Sequence, residues 1–214
     1  ISPDAYRQPC SGIIIANPNA PTGMLLSLAD IRKLAGEHSN SVVVIDEAYI
    51  DFSNKQSWMN ELDEYPNLVI TQTLSKAYGL AGIRLGICYA STAVISVLNK
   101  IKPPYNVNEL TQIRALERLS NPEKIKSEID SIIEQREELL EVLKEVKFVK
   151  KIYPTEANFI LIKVDDANKR YDELIAKGIV IRSRTTQPLC ENCLRLTIGT
   201  QLENDKLIKA LLNL

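Results

Sequence analysis

We predict an α/β protein in which a mostly parallel sheet, layered with helices, is followed by a smaller C-terminal α+β domain. Short apolar strands alternate with helical segments in the first half of the chain, and this alternation is typical of parallel sheets. After Pro103 and Pro104 the pattern changes to an amphipathic segment, one long helix and shorter strands. We therefore place a large domain at residues 1–120 and a small domain, entered through the long helix, at residues 121–214.

The first half contains four predicted strands and one clearly capped helix. Ser27, with Asp30 three residues later, resembles a capping box, and the helix runs to about Glu37. The unbroken valine and isoleucine run of the second strand is typical of a parallel strand covered on both faces. The predicted strands are Gly12–Ala16, Ser41–Asp46, Leu68–Gln72 and Arg84–Ala90.

Apolar residues at helical spacing predict two helices, one on either side of the boundary between the two domains. One covers Asn108–Leu119, and the other starts at Pro122 and continues to about Val146. The remaining predicted elements are strands near Phe148–Ile152, Phe159–Val164, Ile179–Arg182 and Leu194–Ile198, and helices near Ala167–Lys177 and Leu202–Leu212.

The composition excludes several classes of function. The 214 residues are 45% hydrophobic and 25% charged with a net charge of −1, so no basic surface for nucleic acid or anionic membrane is expected. The longest apolar runs are strand-sized, too short to cross a bilayer. Residues Ile1–Cys10 are polar and contain two prolines, unlike a signal peptide, so we expect a cytoplasmic protein.

Cysteine and histidine are too few for a metal centre or for histidine-based nucleophilic catalysis. Cys190 and Cys193 form a C-x-x-C without a second ligand pair, and we interpret it as a loop that ends before a strand. His38, the single histidine, is expected on the surface near a helix C-terminus. We therefore predict no metal site.

Polar clusters follow three of the predicted strands. They are Asn17–Gly23, Asp46–Tyr49 and Thr73–Lys76. Open α/β sheets bind ligands at the carboxyl ends of their strands, so these clusters are expected to meet at one edge. Each cluster alone is compatible with a simple turn, but three in order, with Arg84 eight residues after Lys76, indicate a site.

Lys76 and Asp46 are the residue types that pyridoxal-phosphate chemistry needs. A lysine can hold this cofactor as a Schiff base, and a carboxylate can keep its ring nitrogen protonated so that the ring accepts electrons. The chain also resembles the fold-type-I pyridoxal-phosphate-dependent aminotransferases, in particular their histidinol-phosphate branch. The matching segments are Asn17–Gly23 (NPNAPTG), Val44–Tyr49 (VIDEAY), Thr73–Gly86 (TLSKAYGLAGIRLG) and Cys193–Thr200 (CLRLTIGT).

The resemblance implies a role for each matching residue. Lys76 is implied to bind the cofactor covalently and to move a proton during the reaction, Asp46 to pair with the pyridinium nitrogen, and Tyr49 to donate to the phenolic oxygen. Arg195 matches the arginine that meets the anionic end of the substrate, and Arg182 resembles an auxiliary arginine nearby. The implied contacts to the cofactor phosphate are Thr73, Ser75 and Arg84.

The implied reaction exchanges an amino group between L-histidinol phosphate and 2-oxoglutarate in histidine biosynthesis. Its partners are a small phosphorylated amino substrate and a 2-oxo acid, and a homodimer is expected for the full-length family. Two alternatives keep the cofactor: a threonine-phosphate decarboxylase-like enzyme and an aromatic aminotransferase. A third alternative is an inactive truncated fragment.

Two departures from the family pattern bear on these expectations. Many relatives have an asparagine directly before Pro-Thr-Gly that touches the cofactor; here that position is Ala20, and Asn19 is expected to reach in instead. The family also carries a substantial segment before the strand at Gly12–Ala16, and this chain opens without methionine close to that strand. If these 214 residues were the entire polypeptide, weak cofactor binding and no useful turnover are expected.

Overall fold

The computed structural model describes residues 3–6 and 8–214, which divide into two compact units. The first unit contains the described residues up to Pro18 together with Leu25–Lys126, and the second contains Asn19–Met24 and Ser127–Leu214. The loop after the first strand is therefore grouped with the C-terminal part of the chain. The domain boundary at residues 120 and 121 stays a prediction from the sequence.

A four-stranded sheet forms the centre of the first unit. Its strands are β1 (Gly12–Ala16), β2 (Val42–Asp46), β3 (Leu68–Thr73) and β4 (Gly86–Ala90), in the order β1-β2-β3-β4. The pairs β1–β2 and β2–β3 are parallel, whereas β4 runs antiparallel to β3. The predicted α/β class with a mostly parallel sheet is confirmed, and the carboxyl ends of β1, β2 and β3 lie at one edge.

The helices of the first unit include one that the sequence did not reveal. Helix α1 (Leu28–Glu37) begins at Ser27, whose hydroxyl accepts from Asp30 N as predicted. Helix α2 (Thr92–Ile101) was not predicted, because its sequence TAVISVLNKI is rich in β-branched residues with low helix propensity. Helix α3 (Glu109–Leu119) is capped by Asn108. Short 3-10 helices lie at Pro3–Tyr6, Ile50–Phe52, Trp58–Glu61 and Ala81–Ile83.

Only one face of this sheet is fully buried. The core on that face consists of Ile13, Ile15, Ile31, Leu34, Val43, Ile45, Trp58, Leu68 and Ile70. On the other face Ile14 is 75% exposed and Val42 is 40% exposed, so the predicted burial of β2 on both faces is wrong for the described residues. Successive side chains of a strand point to opposite faces of the sheet. Because β2 has apolar residues on both faces, its sequence did not reveal which face the helices cover.

The end of α1 also corrects a prediction about His38. His38 caps the helix and is 8% exposed, rather than lying on the surface. The side-chain amide of Asn67 donates to the carbonyls of Ala35 and His38, which satisfies backbone acceptors at the helix terminus. Asn67, which donates to these carbonyls, lies 29 residues after His38 in the chain.

The second unit packs helices against one face of an antiparallel sheet. Its strands are β5 (Val149–Ile152), β6 (Phe159–Val164), β7 (Arg182–Ser183) and β8 (Cys193–Thr197), in the order β5-β6-β8-β7. Helix α4 (Pro122–Leu143) crosses from the first unit, and α5 (Ala167–Ala176) and α6 (Gln201–Leu212) complete the layer. Leu139, Leu143, Ile160, Ile162, Leu174, Leu194, Leu196 and Leu207 belong to the common core.

Strand β7 is shorter and begins later than predicted. The segment from residue 179 to residue 181 is not a strand, because its first residue still takes part in the hydrogen bonds that terminate α5. Ile179 N donates to Leu174 O, and Gly178 takes a positive φ of 75° that ends the helix. The side chain of Ile181 is buried in the core instead of continuing the ladder. Among the described helices, none is both long and apolar enough to span a membrane.

Glu47 supports the sheet edge from inside the first unit. Its side chain is fully buried and accepts from Ser57 Oγ at 2.6 Å, Trp58 N at 2.7 Å and Gln72 Nε2 at 2.8 Å. A buried carboxylate is tolerated when donors surround it, and removing it leaves those donors unsatisfied. Glu47 therefore ties the segment after β2 to the 3-10 helix at Trp58 and to β3.

We predict that Glu47→Ala lowers the free energy of unfolding of the first unit by about 3 kcal/mol, because three donors lose their acceptor. Urea unfolding followed by the fluorescence of Trp58, the single tryptophan, measures this unit directly. Glu47→Gln, which keeps one acceptor oxygen, is expected to lose less. Exposed Glu64→Ala is the matched control, and equal losses in Glu47→Ala and Glu64→Ala would contradict the assignment.

Candidate active site

The register of the parallel strands brings the ends of β1, β2 and β3 together. Ala16 pairs with Asp46, and Asp46 pairs with Thr71. Beyond these pairs, Asn17 N donates to Asp46 O at 2.8 Å and Glu47 N donates to Thr71 O at 2.8 Å. The three polar clusters therefore leave the sheet at the same level, as the sequence predicted.

Asp46 lies on the less buried face of the sheet, at this edge. Its Oδ1 accepts from Ala48 N at 3.1 Å, which holds the carboxylate in a turn formed by its own segment. No described residue donates to Oδ2, and Asp46 is half-buried. One carboxylate oxygen is thus fixed by the backbone, and the other is available to a ligand.

Lys76 lies in the loop between β3 and β4, and its ammonium group contacts the segment that follows β2. Lys76 Nζ is 5.2 Å from the centroid of the Tyr49 ring, within the range of a cation–π contact. Gly79 N donates to Lys76 O at 3.0 Å, and Leu80 N donates to Leu74 O at 2.9 Å, so backbone bonds hold the loop. The structure therefore brings Lys76 and Tyr49 together, and Lys76 has no ion-pair partner in the described part of the chain.

Asp51 and Tyr78 connect the same two segments, and sequence reasoning missed both. The Tyr78 hydroxyl and the Asp51 carboxylate lie close enough to influence each other's pKa. Burial raises the pKa of Asp51, and burial together with the Asp51 charge raises the pKa of Tyr78. Asp51 lies five residues after Asp46 and Tyr78 lies two residues after Lys76, so this pair brings the Lys76 loop near the segment that follows β2. No local motif signals it, because the partners are far apart in sequence.

Thr73, Ser75 and Arg84 lie where β3 and β4 diverge. Leu74 N donates to Leu85 O at 3.1 Å, and this bond closes the base of the loop. Ser75 directly follows Leu74 and Arg84 directly precedes Leu85, so both residues lie just inside the loop. Thr73 Oγ1 accepts from Ser75 N at 3.1 Å and donates to Leu85 O at 3.3 Å. These contacts order both sides of the loop at its junction with the sheet.

Arg84 adopts an uncommon backbone conformation. Its φ of 55° and ψ of 45° are left-handed, which costs a non-glycine residue about 1 kcal/mol. This conformation also explains why β4 begins at Gly86 rather than at Arg84 as predicted, since the strand ladder cannot include it. The exposed guanidinium donates through Nη1 to Ala81 O at 3.0 Å, and its other donors remain available among the described residues.

The loop after β1 is held by its own hydrogen bonds. Asn17 is fully buried and its Oδ1 accepts from Leu26 N at 2.6 Å, while its Nδ2 has no partner among residues 3–6 and 8–214. Asn19 Oδ1 accepts from Thr22 Oγ1 at 2.9 Å. Ala20 is exposed. Asn19 belongs to the second unit, and its contact with a cofactor stays a prediction.

In the second unit, Arg182 and Arg195 are direct cross-strand partners. Arg182 of β7 pairs with Arg195 of β8, and Arg195 pairs with Leu161 of β6, so these side chains share one face of the sheet. The Arg195 guanidinium lies 4.8 Å from the centroid of the Phe159 ring. Like charges directly opposite each other are unfavourable, and an anion between them relieves the repulsion.

The two cysteines of the C-x-x-C pattern are buried at the start of β8. Cys190 and Cys193 are free thiols that pack with Leu161 and Tyr153, and burial raises the pKa of the Cys193 thiol. A raised pKa opposes both thiolate chemistry and metal binding. In the part of the chain that the structure describes, no three His, Cys, Asp or Glu side chains are grouped so that they could hold a metal ion.

Comparisons with known proteins agree on one family. The family model described as "Aminotransferase class I and II" matches residues 2–211. A histidinol-phosphate aminotransferase from Flavobacterium johnsoniae is 74% identical over 199 residues, which are 93% of this chain and 57% of that protein. The chain thus spans little more than half the length of this relative.

Two solved structures show the same fold. The histidinol-phosphate aminotransferase from Clostridium acetobutylicum has a TM-score of 0.89 at 26% identity, covering 95% of this chain and 63% of that one. A decarboxylase from Sulfurospirillum multivorans has a TM-score of 0.87 at 27% identity, covering 100% of this chain and 65% of that one. Because the family model covers nearly the whole chain, the protein belongs to the class I and II aminotransferases.

Proposed function

We propose that this chain is the cofactor- and substrate-binding part of a pyridoxal-phosphate-dependent transaminase that exchanges an amino group between L-histidinol phosphate and 2-oxoglutarate. The observation that carries the proposal is the contact of Lys76 with Tyr49, which lies three residues after Asp46 in the segment that follows β2. The high identity to a histidinol-phosphate aminotransferase supports the choice of substrate. A role in histidine biosynthesis, in the cytoplasm, follows from that substrate.

The donor and acceptor groups at the sheet edge fit pyridoxal phosphate, the cofactor of this family. The available amine of Lys76 matches the aldehyde of the cofactor, and the free carboxylate oxygen of Asp46 matches its ring nitrogen. The available guanidinium of Arg84 matches its phosphate. The bound cofactor supplies an electron sink that stabilises negative charge on the substrate carbon. The residues that would hold it are Asp46, Tyr49, Thr73, Ser75, Lys76 and Arg84, with Asn19 as a further candidate.

Each of these side chains has a distinct task. Lys76 would hold the cofactor through a covalent bond, and its amine would move a proton at the reacting carbon of the substrate. Asp46 would keep the ring nitrogen of the cofactor protonated through charge pairing, and the bond from Ala48 N orients the carboxylate. Tyr49 offers its hydroxyl as a donor and its ring as a contact for the Lys76 ammonium.

Arg195 and Arg182 are assigned to the anionic end of the substrate. Their cross-strand pairing concentrates positive charge on one face, and Phe159 holds Arg195 by its ring. Guanidinium groups bind phosphate and carboxylate through two parallel hydrogen bonds. The same pair can therefore accept the phosphorylated amine in one half of the reaction and a dicarboxylic 2-oxo acid in the other.

We also assign a homodimer, because helix α3 presents an apolar stripe to solvent. Leu110, Ile113 and Leu116 are 79%, 55% and 68% exposed and lie at successive three-residue intervals. A contiguous exposed apolar surface is typical of a protein interface. A second copy of the protein is its proposed occupant.

Lys76→Ala is predicted to abolish transamination and the visible absorbance that pyridoxal phosphate acquires on binding covalently, because it removes the amine that is proposed to bind the cofactor. Absorbance and a coupled glutamate assay, run on the polypeptide in which this chain occurs, measure both. Exposed Lys55→Ala is the matched control and should retain both signals. Full transamination by Lys76→Ala would overturn the role of Lys76.

Asp46→Ala is predicted to lower kcat by at least about a hundredfold, the effect of removing one preorganised electrostatic contact. Steady-state kinetics at saturating cofactor separate this effect from weaker binding. Asp63→Ala, which removes an exposed carboxylate of the same unit, should leave kcat within about twofold. A similar small change in Asp46→Ala would argue against charge pairing at this position.

The double variant Ile113→Asp, Leu116→Asp is predicted to convert a dimer to a monomer, because two charges cannot be buried unpaired at an apolar interface. Sedimentation equilibrium gives the mass directly, with the single chain at 24.0 kDa. Leu202→Asp, at an exposed position of α6, serves as the control and should stay dimeric. An unchanged mass in the double variant would exclude this face as the interface.

A phosphothreonine decarboxylase-like activity is the alternative, favoured by the structural similarity to a decarboxylase. The two reactions differ in their products. Transamination between L-histidinol phosphate and 2-oxoglutarate forms glutamate and releases no gas, whereas decarboxylation of a phosphorylated amino acid releases carbon dioxide. Carbon dioxide release without glutamate formation would replace the proposed function with the alternative.

A further inference from the structure

The sheet face that carries Arg182 and Arg195 is strongly cationic. Register places side chains from all four strands of the second unit on this face, and none of the strand positions is acidic. They are Lys151, Phe159, Leu161, Lys163, Arg182, Cys193, Arg195 and Thr197. The opposite face forms the apolar core with the helices. Four of these eight positions are lysine or arginine, so the face combines a buried apolar part around Leu161 with a group of positive charges that suits an anion.

Arg184 extends this face by one further position. Its backbone N donates to Cys193 O at 2.8 Å, which continues the β7–β8 ladder past Ser183. Because side chains alternate, the position falls on the same face as Arg182. Three arginines, at positions 182, 184 and 195, thus occupy neighbouring places on two paired strands.

The Arg184 side chain has donors that the protein does not use. Its Nε is buried without a hydrogen-bond partner among the described residues, and its Nη1 makes only a long 3.4 Å bond to Ser183 O. The neighbouring Thr185 Oγ1 is likewise buried with no partner in residues 3–6 and 8–214. A buried polar group without a partner destabilises the protein, and a ligand that accepts its hydrogen bond removes this cost.

We propose that Arg184 and Thr185 are specificity determinants that bind the phosphate group of the amino substrate together with Arg182 and Arg195. A phosphate has three terminal oxygens and about two negative charges, so it can use more donors than a carboxylate, which has two oxygens and one charge. The third arginine therefore favours a phosphorylated substrate over a dicarboxylate. This inference rests on the proposed function for the identity of the substrate.

The test measures binding of inorganic phosphate by titration calorimetry at constant pH and ionic strength. All variants carry Arg84→Gln, which removes the other proposed phosphate contact. In that background, Arg184→Gln is expected to weaken phosphate binding by about tenfold, the effect of losing one charge-assisted hydrogen bond. Glutarate, a dicarboxylate without phosphate, should lose no more than about twofold with the same substitution.

Two further variants separate binding from folding and from net charge. Arg184→Lys keeps the charge without the planar fork and should recover part of the lost affinity. Lys209→Gln removes one exposed positive charge from α6 and should leave phosphate affinity unchanged. Thermal unfolding curves that coincide for all variants show that the fold is intact.

The outcomes distinguish this inference from the proposed function. Loss of phosphate affinity in Arg184→Gln supports the inference even when the polypeptide fails to transaminate. The inference is overturned if the phosphate affinity of Arg184→Gln stays within twofold of the parent. It is also overturned if Arg184→Gln loses as much affinity for glutarate as for phosphate, or if Lys209→Gln loses as much phosphate affinity as Arg184→Gln. These outcomes count whether or not transamination is observed. In the active polypeptide, a raised KM for the phosphorylated amine with an unchanged KM for 2-oxoglutarate is the corresponding kinetic result.

Discussion

The parallel alignment of β1, β2 and β3 is the constraint on which the candidate site depends. Because Ala16, Asp46 and Thr71 are in register, the segments that follow the three strands emerge side by side. The backbone bonds from Asn17 N to Asp46 O and from Glu47 N to Thr71 O carry this alignment beyond the strands. A shift of one residue would move Asp46 to the other face of the sheet, into the apolar core.

Side chains behind the site hold the emerging segments in place. Glu47 points inward from the same turn in which Asp46 presents its carboxylate, and its three donors come from two parts of the unit, the start of the 3-10 helix at Trp58 and strand β3. The interaction between Asp51 and Tyr78 brings the Lys76 loop near the chain after β2. The left-handed conformation of Arg84 stores a small strain at the point where a phosphate contact is proposed. In the segment after β2, for example, Glu47 stabilises the fold while the adjacent residue Asp46 is proposed to contact the cofactor.

The sequence was most informative where chemistry depends on a short motif at the end of an apolar strand. Asp46, Tyr49, Lys76 and Arg84 could be selected as candidates in this way, although their roles stay proposals. Glu47 and the Asp51–Tyr78 pair could not, because their partners are 10 to 27 residues away and depend on the tertiary fold.

The missed and misplaced elements have similar physical reasons. Helix α2 carries β-branched residues that favour strands in isolation, and β7 is shortened by the way α5 ends at Gly178. The carbonyl of the buried residue His38 accepts a hydrogen bond from the side chain of Asn67, and no local pattern connects these two residues. Arg184 has no motif of its own, and only the register beside Cys193 and its unsatisfied Nε reveal its position on the cationic face.

We propose that one amine and one carboxylate of the first unit, those of Lys76 and Asp46, serve the same cofactor ring. Reduction with borohydride in the presence of pyridoxal phosphate, followed by peptide mapping, examines both groups at once. We expect a single reduced pyridoxyl group on the peptide that contains Lys76, at a level that falls when Asp46 is replaced by alanine. Labelling spread over exposed lysines, or a Lys76 label that is indifferent to Asp46, would contradict it.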